Sequence, residues 1–220
     1  MKRITLAAAF LAALTACGGG TSTTTGGPSP TPTSTPTTYR SPPATLPVTG
    51  VDLSTAPPPW LPPALLNSGK DSAAYVAAAG LPYAEEMLSV HYHAHLDIIA
   101  NGEKVEVPPY VGFVTAGTKA LGLAPLHTHQ SDGIIHIENS VPATFVLGQF
   151  FVEWGVRLSA TCVGGLCASG SKELAFFVNG RRYTADPTRL VLKEHEEIAI
   201  EYGDRGHLPT PPSRFAFGAN

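Results

Sequence analysis

The run His91-Tyr92-His93-Ala94-His95-Leu96-Asp97-Ile98-Ile99 constrains this chain more than any other stretch. In an extended strand, side chains at alternate positions share one face, so His91, His93 and His95 line up together. The apolar and β-branched residues around them, followed by the turn signal Asn101-Gly102, predict that the stretch is extended. A second segment repeats the pattern: Leu126-His127-Thr128-His129, then Ile134-Ile135-His136-Ile137-Glu138. Six of the protein's eight histidines lie between His91 and Glu138. Three alternating groups able to converge on one cavity ask for a metal.

Spacing limits what one strand can do. At about 3.3 Å per residue, the Cα atoms of His91 and His95 stand roughly 13 Å apart, whereas a zinc–imidazole bond is about 2.0–2.1 Å. Two neighbouring histidines can chelate one ion from the same strand, and three hardly can. The third then serves elsewhere, in a second metal site, as a hydrogen-bond partner behind a ligand, or in a site shared between subunits of a homo-oligomer.

The N-terminus calls for a different reading. Lys2 and Arg3 precede an apolar run, Ile4 to Leu14, too short to span a bilayer as a stable helix. Leu14-Thr15-Ala16-Cys17 follows, and the whole resembles a bacterial lipoprotein signal. That resemblance implies removal of residues 1–16, lipidation of Cys17, and a protein exported and lipid-anchored on the periplasmic or extracellular side of a membrane. An ordinary secretory signal is the alternative, and it also exports the chain. Residues 18–38 are only Gly, Ser, Thr and Pro, and proline stays frequent to Pro63, a composition with too little apolar surface to offset the entropy of folding. The expected layout is a lipidated, disordered tether over 17–60 and a single His-rich metal-binding domain over 61–220. The formal charge of −3 and the lack of a basic stripe exclude nucleic acid as a partner.

With Cys17 lipidated, Cys162 and Cys167 remain. Outside the cytoplasm they favour a disulfide, and Gly164-Gly165 between them permits the tight loop. A thiolate metal pair or redox switch is the alternative.

The rest of the domain reads as an α+β, β-rich fold: an antiparallel sheet, small sandwich or barrel with one or two short helices. Asp71 to Gly80 predicts a helix capped by Asp71, with Tyr75, Val76 and Ala79 toward the core. Leu88 to Ala100, a turn at Asn101-Gly102 and Lys104 to Val107 form a hairpin, and Tyr110 to Val114 is a further strand. Thr115 to Pro125 reads as a loop. Leu147, Phe150, Phe151 and Trp154 fall on one helical face, ended by Gly155, and are assigned to the core rather than to a cofactor box. Glu173 to Val178 and Arg181 to Thr184 pair around Asn179-Gly180. Arg189 to Leu192 and Ile198 to Tyr202 are short strands, and the proline-rich tail from Leu208 to Phe217 lies on the surface.

Imidazole suits Zn, Cu, Ni and Fe, whereas Met and free Cys favour Cu(I). The chain has two methionines, one of them in the signal, so Zn and Cu(II) lead as cofactors, with Fe, Mn and Ni behind. Asp97 and Glu138 are further ligands or acceptors that orient imidazole rings. Asp132, beside Gly133, is a carboxylate near the site or a plain turn residue. His195 reads as a surface residue and His207 as a loop residue.

Around Pro125-Leu126-His127-Thr128-His129 the chain resembles the cupins, small β-barrels that often hold a metal with histidines and a glutamate. The cupin glutamate would fall at Gly133 or Ile134. The fuller pattern, His-x-His-x-His-Leu, Leu-His-Thr-His and Gly-Ile-Ile-His-x-Glu, resembles exported bacterial and archaeal proteins of uncharacterised function. Two functions follow. One is a lipid-tethered domain that binds a transition metal. The other is a metalloenzyme of cupin-like type, with an open metal position and Glu138 or Asp132 as general base. No zinc-protease helix, nucleophile elbow or phosphate loop is present, so enzyme status rests on geometry alone, and metal binding without catalysis is the leading expectation. A pH-sensitive histidine interface is a third reading.

Overall fold

The computed structural model describes residues 38–86 and 89–218. The expected signal, Cys17 and the tether as far as residue 37 lie outside the described residues. Among the described residues no helix is long and apolar enough to cross a membrane.

The fold is α+β and β-rich. Among the described residues eleven strands appear in chain order: β1 (Val90–Ala100), β2 (Glu103–Val105), β3 (Phe113–Ala116), β4 (Lys119–Leu123), β5 (Leu126–His127), β6 (Ile134–Asn139), β7 (Cys162–Val163), β8 (Leu166–Cys167), β9 (Lys172–Val178), β10 (Arg181–Tyr183) and β11 (Glu197–Asp204). Helix α1 (Ser72–Ala78) precedes β1, and α2 (Leu147–Trp154) follows β6. Seven strands make one open sheet in the order β10-β9-β11-β1-β6-β5, with β2 added to β1. The sheet does not close, so the barrel among the expected architectures is not adopted.

Both hairpin turns are built as their sequences require. Asn101 and Gly102 have φ of 53° and 85°, and Asn179 and Gly180 have 50° and 74°, the left-handed pair that a two-residue hairpin needs. One pairing departs from the antiparallel rule. β1 runs parallel to β11, with His95 opposite Glu197 and Ile99 opposite Glu201. The two strands are separated by almost the whole domain, so no hairpin dictates their direction.

Alternation then divides the sheet into two faces. Ala94, Leu96 and Ile98 of β1, Ile135 and Ile137 of β6, and Ile198 and Ile200 of β11 are all fully buried and belong to one cluster with α2. The expected stripe of Leu147, Phe150, Phe151 and Trp154 is 0 % exposed, and Gly155 ends the helix at φ 77°. Polar residues of α2 are buried too, so Gln149 needs partners. Its Nε2 donates to Tyr39 Oη (2.9 Å) and to Ala79 O (3.1 Å).

Tyr39 belongs to the segment expected as tether, but the chain joins the packed body well before residue 61. The Tyr39 ring stacks on Phe145 at 4.8 Å, and buried Trp60 meets Trp154 edge to face at 5.7 Å. Two aromatic anchors outweigh the proline-rich composition around them. Cys162 and Cys167 form the expected disulfide, joining β7 to β8. Gly164 in that turn lies against the Trp60 indole, where any Cβ would collide.

Other expectations are corrected. Thr115 to Pro125 is not a loop: β3 and β4 pair there with a bulge between Val114 and Thr115, a hairpin whose second strand is mostly exposed and so lacks a two-residue pattern. Arg189 to Leu192 is not a strand. Pro187–Arg189 forms a short 3-10 turn, and Val191 makes a single bridge to Val146. Asp71 precedes α1 but makes no side-chain cap.

Candidate metal centre

The face of the sheet turned away from the core carries the histidines. Register places His93 opposite His136 and His91 opposite Glu138 across β1 and β6. His127 lies opposite His136 across β5 and β6. His93, His136 and His127 therefore form one row across three strands, with His91 and Glu138 in the next row and His129 just beyond β5.

The ligand atoms come close together. His93 Nε2 lies 3.0 Å from His91 Nε2 and 3.0 Å from His136 Nδ1, and His127 Nε2 lies 3.2 Å from His129 Nε2. Glu138 Oε1 is 3.4 Å from His91 Nε2, 3.7 Å from His127 Nε2 and 3.8 Å from His136 Nδ1. For bonds of about 2.0–2.1 Å, the ligands of a tetrahedral ion stand roughly 3.3 Å apart. Two overlapping groups meet the geometric requirement for a metal: His127, His129, His136 and Glu138, and His91, His93 and His136. These clusters, each with both buried and exposed members, could hold a metal ion.

Each ring is prepared by its surroundings. His127 is fully buried, and its Nδ1–H donates to Ala124 O at 3.0 Å. A carbonyl only accepts, so the lone pair of this imidazole sits on Nε2, facing the centre. Phe113 stands edge-on to His127 and His129, with ring centres 6.1 and 5.6 Å away. Burial, only partly offset by Glu138, pushes His127 down to about 4. Burial and the neighbouring His136 and His91 bring His93 down to about 4 as well. His129 is lowered by burial and by His136. Burial alone would raise Glu138, but the hydrogen bond with His136 and the charges of His127 and His91 hold it below the usual carboxylate range. His93, His127 and His129 are thus biased to the neutral imidazole and Glu138 to the carboxylate, the forms that bind metals.

The centre is not sealed. His129 is exposed, and the His91 and His136 side chains are 35 % and 21 % exposed. Behind them, a hollow of about 10 Å³ is lined by Glu85, Glu86, Pro125, His127 and Glu138, and Glu138 Oε2 is buried with no hydrogen-bond partner among the described residues.

His95 stands apart. It belongs to neither group and meets Asp97 and Glu197 instead. Asp132 is a turn residue: its Oδ1 accepts from Ile134 N at 3.0 Å, and its carbonyl faces His95. His195 is exposed, stacks on Phe217 and donates its backbone N–H to His93 O at 2.7 Å. His207 is exposed in the turn after β11 and joins no cluster. Sequence reasoning missed Glu197, Phe113 and Phe215. Glu197 precedes a strand that was anticipated, but its face depends on the parallel β1–β11 pairing, which no local signal marks.

Comparisons with protein-family models, with curated proteins and with solved structures give no match to this chain.

Proposed function

We propose that this is an exported lipoprotein, anchored through Cys17, whose sheet face binds a divalent transition metal, Zn(II) or Cu(II), through His127, His129, His136 and Glu138, with His91 and His93 alongside. One observation carries the reading: His127, fully buried, has its Nδ1–H held by Ala124 O and its Nε2 lone pair turned toward His129 and Glu138. Without a metal that lone pair can accept from His129 Nε2–H at 3.2 Å, and a bound cation would take the place of the shared proton while using both nitrogens as ligands.

Binding without catalysis is the better supported form. Glu138 lies between the nitrogens of three histidines, in a ligand's position, and Asp132 is engaged in its turn. Glu138 does not stand off the cluster as a general base would. One chain brings four donors together, His127, His129, His136 and Glu138. The all-nitrogen-and-oxygen donor set and the Cys162–Cys167 disulfide leave no thiolate for Cu(I). The disulfide also accords with an oxidising compartment, as does the lipoprotein-like signal.

Calorimetric titration of the metal-free protein with Zn(II) and with Cu(II) at pH 7 tests the binding role. Saturable binding with proton release below one proton per ligand is expected, because burial lowers His93, His127 and His129. No heat and no saturation with either ion would reject it. Mass spectrometry of the membrane-extracted protein beside Cys17→Ser tests the anchor: the acyl mass is expected on the first and absent from the second.

A further inference from the structure

We propose that His95, Asp97 and Glu197 form a second, separate divalent-cation site on the same sheet face, harder in character than the histidine centre and suited to Mn(II), Fe(II) or Zn(II). His95 Nε2–H donates to Asp132 O at 2.8 Å. The single proton of a neutral imidazole is thereby placed on Nε2, and the lone pair falls on Nδ1. That nitrogen lies 2.8 Å from Glu197 Oε2 and 3.9 Å from Asp97 Oδ2. A lone pair facing a carboxylate oxygen, itself only an acceptor, is repulsive unless positive charge stands between them. Either a second proton or a cation must supply it.

Two features favour the cation. Asp97 and Glu197 both present an oxygen to the one nitrogen, where His95 and Glu197 are each 1 % exposed; Lys104 Nζ, 55 % exposed, offsets the Asp97 charge through Oδ1 at 2.7 Å and leaves Oδ2 toward His95. Glu197 Oε1 is also buried with no hydrogen-bond partner among the described residues, and a bound ion can engage either oxygen of a carboxylate.

The arrangement repeats that of His127. In both, one ring N–H is anchored on a backbone carbonyl and the other nitrogen is turned toward a carboxylate, the pattern that orients metal-binding histidines. For bonds of about 2.1 Å, the two ligand separations correspond to angles of roughly 85° and 135° at the ion, both within reach of a distorted site. Phe215 stacks on the His95 ring at 3.8 Å and 12°, covering the group with the C-terminal tail. One nitrogen and two carboxylates make a harder donor set than clustered imidazoles, hence the choice of ions.

The test is a count of ions on the metal-stripped full-length protein after equilibration with Zn(II), with Mn(II) binding followed by its electron paramagnetic resonance signal. Two Zn(II) per chain are expected for the natural sequence. One is expected for Glu197→Gln, with Mn(II) affinity reduced at least tenfold, and one for His127→Ala with His129→Ala. Unchanged Zn(II) count and Mn(II) affinity in Glu197→Gln would overturn the second site alone. An unchanged count in the His127, His129 variant would count against the histidine centre instead. A measurement on the unmodified chain guards against misfolding of the variants: on titration with ¹¹³Cd(II), His95 Nδ1 is expected to couple to cadmium. No coupling between His95 and cadmium in excess cadmium would overturn the proposal.

Discussion

His93 and His136 face each other across β1 and β6, with Nε2 of the first 3.0 Å from Nδ1 of the second. Strand pairing alone brings them there, because directly opposed residues of an antiparallel ladder present their side chains together on one face. With His127 opposite His136 on the next strand, the sheet itself becomes the scaffold of the centre. Ligands carried on strands are held more rigidly than ligands carried on loops.

Acid should weaken the metal-free protein. His93 and His127 sit at about 4 when folded, against 6.5 for an ordinary imidazole. Between those values the unfolded chain takes up protons that the folded chain refuses, so stability is intact above about pH 6.5, falls as pH drops, and levels off below about pH 4. The depressed Glu138 acts in the same direction at lower pH, since its contribution is lost when the carboxylate is protonated. For the two histidines the loss is on the order of a few kcal/mol. Denaturant midpoints from pH 7 to pH 4 would measure it, and His127→Ala should flatten the curve.

The N-terminal arm is predicted to be part of the fold. Tyr39→Ala removes the stack on Phe145 and the hydrogen bonds to Thr144 O and Gln149, at a cost of about 3 kcal/mol by analogy with other large-to-small aromatic changes. A chain begun at Trp60 should show at least as large a loss in chemical denaturation.

What could be read from the residues was local. Alternation gave the histidine face, Asn101-Gly102 and Asn179-Gly180 gave the hairpins, and the spacing of Leu147, Phe150, Phe151 and Trp154 gave α2. Contacts made over long sequence distances were not legible. Glu197 meets His95 only because β11 docks parallel to β1, and Tyr39 is ordered only because Gln149 and Phe145 are there to receive it. β5 is two residues long, too short to announce itself by any period, yet it positions His127.

Gly133 is predicted to be irreplaceable. Its φ is +84°, and a Cβ would meet Leu96 O at 2.5 Å and His95 Nε2 at 2.9 Å. Gly133→Ala should cost about 1–3 kcal/mol from the backbone conformation alone. It should also disturb the His95–Asp132 hydrogen bond, visible as a change in the His95 side-chain nitrogen resonances.

The disulfide is predicted to serve stability and not metal binding. By loop entropy, Cys162→Ser with Cys167→Ser should lose roughly 2 kcal/mol. The number of ions bound should not change, because neither cysteine belongs to any of the ligand groups. Thermal unfolding and metal analysis of that variant would check both halves.

The most direct measurement is elemental analysis of the protein purified without chelator, beside His127→Ala with His129→Ala, both checked for folding by circular dichroism. Zn or Cu bound to the natural sequence at one or more ions per chain, with at least one ion lost from a variant that still folds, is the predicted result. Removing two ligands should weaken binding by more than the 10–100-fold typical of outer-shell changes. Equal metal content and equal affinity in the two proteins would contradict the assignment of the centre to these residues.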